Sequence, residues 1–143
     1  MYCIPMNKIN SSNNGFKPVR YITITGGTTK TCRKLKSLLK QTKYYCLVDC
    51  YKRDKQLINK EAFYLPDCVI MEIRSVYALL FIHKKAEKLK EALPGIKVIL
   101  YYNMFKRYPL LEKKIRQYPE INSSDDDEKQ LHSLEDLLQN NAQ

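Results

Sequence analysis

The most informative segment of the chain is Leu65-Pro66-Asp67-Cys68-Val69-Ile70-Met71-Glu72-Ile73-Arg74. Pro66 and Asp67 interrupt the preceding pattern, and a continuous apolar run, Cys68–Met71, follows them directly. Apolar residues at every position, rather than at every second one, are typical of a strand that is covered on both faces. The segment therefore predicts a buried strand of the kind found in parallel sheets.

Strand-like and helix-like segments alternate on both sides of this run. β-branched and aromatic residues predict further strands at 21–25, 44–48 and 97–102, and a short edge strand at 118–122, where a proline excludes a central position. Apolar residues at helical spacing predict helices at 29–41, at 54–65, at 76–93, around Leu110, Leu111 and Ile115, and at the C-terminal end, where Ser124 or Asp125 is the expected cap. The alternation predicts an α/β fold with a doubly wound (βα)5 parallel sheet, flavodoxin-like, in strand order 2-1-3-4-5.

Length and composition fit a single domain. The chain has 143 residues, of which 44% are hydrophobic and 28% charged. We expect residues 18–140 to form one domain and residues 1–17, which lack a periodic apolar pattern, to form a flexible N-terminal arm. No stretch approaches 18 consecutive apolar residues, which argues against a membrane protein. Five cysteines and no export-signal pattern predict reduced thiols and a cytoplasmic location.

The charge is distributed unevenly along the chain. Residues 1–118 hold 24 basic and 8 acidic residues, a net charge of +16, whereas residues 119–143 hold one lysine and seven acidic residues, a net charge of −6. Such a division suggests an anionic partner or an acidic tail that folds back onto a basic body. A solvated cationic surface is the alternative explanation.

Two stretches resemble the receiver domain of bacterial response regulators. Residues 65–74 are similar to the family's third-strand pattern PDVVLMDIR, and residues 93–100, Leu-Pro-Gly-Ile-Lys-Val-Ile-Leu, are similar to its fourth-strand pattern LPDIKVIVL. The order and spacing of the predicted elements agree with that family from residue 19 to about residue 138. The resemblance implies a receiver fold and a signalling function.

The positions that carry the family's chemistry are substituted in this chain. By the resemblance, the acidic pair that binds Mg²⁺ falls on Thr25 and Gly26, and the phosphoacceptor aspartate falls on Glu72. The Ser/Thr switch residue falls on Tyr102, or on Tyr101 if the register slips by one, and no lysine stands near the end of the fifth strand. The resemblance thus implies an atypical, degenerate pseudo-receiver with no catalytic residues, no metal and no cofactor. Glu72 either mimics a phosphorylated aspartate or is merely a tolerated polar residue.

The resemblance also implies a binding surface. In receivers the face formed by the fourth helix, fifth strand and fifth helix makes dimers or binds partners, which here corresponds to residues 103–138. The residues that we expect on it are Lys106, Arg107, Tyr108, Lys113 and Lys114. Aromatic side chains interleaved with cations can also stack on bases and hold phosphates, although packing explains them equally.

The remaining motifs are weak. Gly26–Thr31 follows a strand, and its backbone can hold an anion, but its spacing does not match a phosphate-binding loop and a flexible turn explains it. Cys46 and Cys50 lack the further ligands that a zinc site needs, so we expect thiols.

The leading interpretation is a non-enzymatic module, the regulatory part of a transcriptional response regulator, which acts by phosphorylation-independent contact with a protein partner or as a homodimer. The alternative is a small basic nucleic-acid-binding protein.

Overall fold

A computed structural model describes residues 19–51 and 66–140 of the chain. The strands of this part form one five-stranded sheet in the order β2-β1-β3-β4-β5, and every pairing is parallel. This arrangement confirms the predicted doubly wound sheet. The strands are β1 (Val19–Thr25), β2 (Tyr45–Tyr51), β3 (Cys68–Ile73), β4 (Lys97–Tyr102) and β5 (Glu120–Asn122).

Three α-helices in the described residues cover the sheet. They are α1 (Thr29–Lys40), α2 (Val76–Ala92) and α3 (Asp127–Asn140), in agreement with three of the predicted helices. Hydroxyl caps define the first two N-termini, since the Thr28 side chain accepts a hydrogen bond from the Thr31 amide and the Ser75 side chain accepts one from the Ala78 amide. Gly95 follows α2 with φ 86°, a backbone conformation that glycine adopts readily.

Strand β3 lies between two apolar clusters. Cys68 and Ile70 belong to the cluster that includes α1 and α3, whereas Val69, Met71 and Ile73 belong to the cluster on the other face, with α2. All six residues of β3 are buried, which confirms the prediction of a strand covered on both faces. The alternation along β3 places Glu72 on the face covered by α1 and α3.

The helix predicted around Leu110, Leu111 and Ile115 is wrong. This part of the chain forms turns and one short 3-10 helix, Lys113–Ile115. The side chain of Glu112 accepts a hydrogen bond from the backbone N–H of Tyr108 at 2.6 Å, so a turn closes where the prediction expects a regular helix.

The cap of α3 also differs from the prediction. Asp126 accepts the hydrogen bond from the Lys129 amide at 2.8 Å, one or two residues later than expected. The hydroxyl and the amide of Ser124 both donate to the side chain of Asn122 instead.

The cysteine prediction is wrong for one pair. Cys32 and Cys50 form a disulfide with a Cα–Cα separation of 6.6 Å, which ties α1 to β2. Cys46 and Cys68 carry thiols, as predicted. Burial raises the pKa of the Cys68 thiol to about 12, so that thiol is protonated at neutral pH.

Two predictions fall on parts of the chain that lie outside the described residues. These are the N-terminal arm at 1–17 and the helix at 54–65. Within residues 19–51 and 66–140, no helix combines the length and the apolar character that crossing a bilayer requires.

Candidate functional site

The candidate site lies where the carboxyl ends of the central strands meet. In open parallel sheets, ligand and reaction sites form at this edge, beside the point where the strand order reverses. Here that point lies between β1 and β3. Glu72, the last residue but one of β3, has a fully buried side chain at this point.

The carboxylate of Glu72 is surrounded by groups that donate to it. The Thr28 backbone N–H donates to Oε1 at 3.1 Å, and the Thr31 hydroxyl donates to Oε2 at 2.7 Å. The side-chain amide of Asn103 donates to Oε2 at 2.7 Å. Arg74 completes the set, with its Nε 3.5 Å from Oε1. Both oxygens of this buried carboxylate are therefore neutralised and hydrogen-bonded by the chain itself.

These contacts extend across the sheet. The Oδ1 atom of Asn103 accepts a hydrogen bond from the Ser123 hydroxyl at 2.8 Å, which joins the residue after β4 to the residue after β5. We call the set formed by Thr28, Thr31, Glu72, Asn103 and Ser123 the Glu72 latch. The latch connects the β1–α1 turn with the ends of β3, β4 and β5.

Gly27 is part of the close packing around the latch. A Cβ atom at this position would stand 3.4 Å from Cγ2 of Ile24 and 3.5 Å from Oε1 of Glu72. Both distances are ordinary van der Waals contacts, so the turn lies against the Glu72 carboxylate.

Thr25 and Gly26, the positions expected to correspond to the acidic pair, have other roles here. Thr25 is buried, and Gly26 turns the chain with φ 72° while its N–H donates to the Tyr51 carbonyl at 3.0 Å. Mg²⁺ requires several oxygen ligands, whereas Glu72 is enclosed by N–H and O–H donors and the guanidinium of Arg74. This donor set does not fit a hard divalent cation. Across residues 19–51 and 66–140, no group of three His, Cys, Asp or Glu residues is arranged to hold a metal.

Tyr102 lies on the opposite face of the sheet from Glu72. It packs in the cluster that includes α2, and its hydroxyl donates to Oε2 of Glu112 at 2.9 Å. Burial and this hydrogen bond raise the pKa of Tyr102 to about 12. The residue that reaches Glu72 on this side is Asn103, directly after β4, which the sequence analysis missed. Strand alternation was the available signal, because positions 101 and 103 share the face of Glu72.

Arg107, expected on the binding surface, is exposed and also braces the segment after β4. Its guanidinium lies 2.5 Å from Glu112 and 2.8 Å from Glu120, and its central carbon lies 3.8 Å from the centre of the Tyr102 ring. These carboxylates raise the pKa of Arg107, which is charged at any ordinary pH. Arg107 therefore fixes the conformation of the loop.

The other expected surface residues differ in exposure. Lys106, Lys113 and Lys114 are exposed, and Tyr108 is half-buried, with the Lys106 ammonium 5.6 Å from its ring centre. The same segment presents two large apolar side chains to solvent. Phe105 is fully exposed and Leu110 is 80% exposed, although the helix prediction assigns Leu110 to an apolar stripe.

Comparisons with known proteins give structural likeness and no sequence family. No family model matches the chain, and no curated protein matches it. A two-component transcriptional regulator AraC from Clostridium phytofermentans is similar in structure, with a TM-score of 0.64 and 11% identity, over 87% of this chain and 95% of that one. A response regulator CheY-like protein from Mesorhizobium loti is similar with a TM-score of 0.57 and 10% identity, over 80% of this chain and 95% of that one. A pilus assembly-related protein from Burkholderia pseudomallei is similar with a TM-score of 0.61 and 16% identity, over 86% of this chain and 89% of that one.

Identities this low establish the fold and nothing finer. The neighbours include proteins named as response regulators, and the strand order and the parallel pairing here agree with the receiver type of sheet. The chain therefore has the fold of response-regulator receiver domains.

Proposed function

We propose that this chain is a signalling module with a degenerate receiver site, which acts by protein–protein contact and without phosphoryl transfer. The observation that supports this most strongly is the engagement of the Glu72 carboxylate by three hydrogen bonds and the Arg74 guanidinium. A carboxylate nucleophile must present a lone pair to the phosphorus atom, and a metal normally neutralises the transferred group. Here both carboxylate oxygens already accept hydrogen bonds. The positive charge beside the carboxylate comes from the guanidinium of Arg74.

In this proposal Glu72 holds the site in one state. A phosphorylated aspartate would add a charge of about −1.5 to −2 and attract donors from neighbouring strand ends. Glu72 supplies a carboxylate group without any modification, and Thr31 and Asn103 already donate to it at 2.7 Å. The arrangement that modification would create elsewhere is thus built into the sequence.

The segment after β4 is the proposed contact surface, together with the rest of residues 103–138. Arg107 braces it, and Phe105 and Leu110 project from it into solvent beside Lys106. Exposed apolar side chains on a fixed backbone favour a protein interface, because little conformational entropy is lost when they become buried. The proposed occupant is a second copy of the chain or a partner protein that receives a signal from it.

The absence of phosphoryl transfer is tested with acetyl phosphate and Mg²⁺, followed by intact-mass measurement. We expect no gain of a phosphoryl group by the wild-type chain, and none by Glu72→Gln. A phosphoryl adduct on the wild type that disappears in Glu72→Gln would contradict the proposal.

The contact surface is tested by sedimentation velocity over a range of protein concentrations. We expect concentration-dependent self-association that the double substitution Phe105→Ser with Leu110→Ser weakens at least tenfold. The matched control is Lys88→Ser, an exposed change on α2, outside the proposed surface, that removes no apolar surface. A wild type that stays monomeric at every concentration would contradict the homodimer.

Nucleic-acid binding is the second candidate function. The net charge of +16 on residues 1–118 and the exposed Phe105 beside Lys106 favour it. Fluorescence anisotropy with labelled duplex and single-stranded nucleic acid at low and moderate salt separates the two functions. Binding through phosphate contacts falls steeply as salt rises, whereas no binding at low salt leaves protein contact as the function.

A further inference from the structure

We propose that the Cys32–Cys50 disulfide is a reversible redox switch that sets the strength of the Glu72 latch. The bond joins the first part of α1 to β2, and β2 is the outermost strand on its side of the sheet. An edge strand has only one neighbouring strand to hold it. A covalent link from the covering helix therefore controls how firmly the end of this strand is attached.

The helix end of the bond adjoins the latch directly. Thr31, the residue before Cys32, donates its hydroxyl to Glu72 at 2.7 Å, and Thr28 donates its N–H from the same turn. The backbone N–H of Cys32 in turn donates to the Thr28 carbonyl at 2.9 Å. A shift of Cys32 is thus transmitted to two of the three hydrogen bonds that Glu72 accepts.

The strand end of the bond adjoins the same turn from the other side. Tyr51, the residue after Cys50, accepts the Gly26 N–H at 3.0 Å. The disulfide therefore closes a loop in which α1, the glycine turn and the end of β2 restrain one another. Reduction removes the covalent cross-link between α1 and β2 and leaves non-covalent contacts, among them the Gly26–Tyr51 hydrogen bond, to hold the end of the strand.

The bond is accessible to a reductant. Cys50 is exposed and Cys32 is half-buried, and both line an open cavity of about 700 Å³ at this edge of the sheet. Arg33, Lys36 and Arg74 line the same cavity. Cationic neighbours favour the thiolate form of a cysteine, which is both the attacking and the leaving species in thiol–disulfide exchange.

A dithiol reductant supplies the two electrons that reduction of the disulfide needs. One thiolate of the reductant attacks the Sγ atom of exposed Cys50, which breaks the S–S bond and releases Cys32 as a thiolate. The second thiolate of the reductant then attacks the mixed disulfide and releases Cys50. Two electrons pass to the protein pair, both cysteines take up protons according to pH, and the reductant leaves as its own disulfide.

The redox state is measured by thiol alkylation and intact mass after equilibration in glutathione buffers of graded reduced-to-oxidised ratio. We expect the pair to change from oxidised to reduced within the range of these buffers, while Cys46→Ser behaves as the wild type. A bond that stays oxidised in every buffer is a permanent structural link, and a bond that never forms overturns the inference equally.

The coupling to the latch is measured by amide hydrogen exchange in oxidised and reduced protein. We expect exchange at the Gly26 and Thr28 amides to become at least tenfold faster on reduction, while amides in the middle of β4 change little. In the Cys32→Ser/Cys50→Ser variant the exchange should be fast and insensitive to the reductant. Equal exchange in both redox states, in protein that circular dichroism shows to be folded, would overturn the switch.

This inference goes beyond the proposed protein contact and stands if that contact fails. Its readouts are thiol state and amide exchange, which depend on neither a partner nor a phosphodonor. Conversely, a permanent disulfide would leave the proposed function untouched.

Discussion

At the scale of single residues, Glu72 is the group on which the candidate site depends. Its side chain is fully buried and accepts three hydrogen bonds, and Arg74 balances its charge. Glu72→Gln keeps the size of the side chain but turns an amide donor toward groups that also donate. We expect the free energy of unfolding to fall by about 1–3 kcal/mol, the usual cost of unsatisfied buried hydrogen-bonding groups. Urea denaturation at pH 7 measures the change.

The matched control is Glu91→Gln, the same chemical change at an exposed position of α2. We expect that variant to stay within about 0.5 kcal/mol of the wild type. If Glu72→Gln were as stable as the control, the latch would contribute nothing to the folded state.

At the scale of elements, the segment between β4 and β5 depends on Glu112. Burial acts to raise the pKa of this carboxyl, but hydrogen bonds from the Tyr108 N–H, Arg107 and the Tyr102 hydroxyl outweigh that effect, so its pKa is lowered from the ordinary 4.5. A carboxyl whose pKa is lower in the folded state stabilises the fold above its unfolded pKa. That contribution is lost as the pH falls through the folded pKa.

We therefore expect Glu112→Gln to be less stable than the wild type at pH 7 and the difference to shrink below about pH 4. Urea denaturation of both proteins across this range gives the difference directly. A gap that stays constant with pH would mean that the carboxylate charge has no part in bracing the segment.

The sequence predicted the elements that packing controls and missed the one that side-chain hydrogen bonds control. Strands β3 and β4 show continuous apolar runs because both of their faces are buried, and the helices show apolar periodicity because each buries one face. Leu111 and Ile115 have helical spacing too, but Glu112 turns inward to Tyr102, ten residues away in the chain. Hydrophobic periodicity does not predict such a side-chain hydrogen bond.

The sequence also predicted one part of the candidate site and missed another. Glu72 stands out because it is polar at the end of an apolar strand, and the resemblance in residues 65–74 points to it. Its partner Asn103 and the pairing of Cys32 with Cys50 depend on elements that approach one another only in the folded sheet. A single sequence does not specify those distances.

At the scale of the whole molecule, the acidic C-terminal helix folds back onto the basic body. Asp127 lies 2.7 Å from the Lys34 ammonium, and Glu135 accepts the Lys43 N–H at 3.0 Å. The hydrogen bond to Asp127 raises the pKa of Lys34. Of the three explanations offered for the uneven charge, a returning tail is therefore correct for α3. The remaining basic surface is still available to an anionic partner.

Surface ion pairs of this kind contribute little each, so the attachment of α3 must depend on its apolar stripe. Leu134 is completely buried against the cluster that contains α1 and the sheet. We expect Leu134→Ala to lower the free energy of unfolding by about 2–5 kcal/mol, the range for deleting a buried leucine side chain. Leu110→Ala makes the same chemical change at an exposed site and should cost less than about 0.5 kcal/mol. Urea denaturation measures the change in the free energy of unfolding for both variants. If α3 were only loosely attached, the two substitutions would lower that free energy by the same small amount.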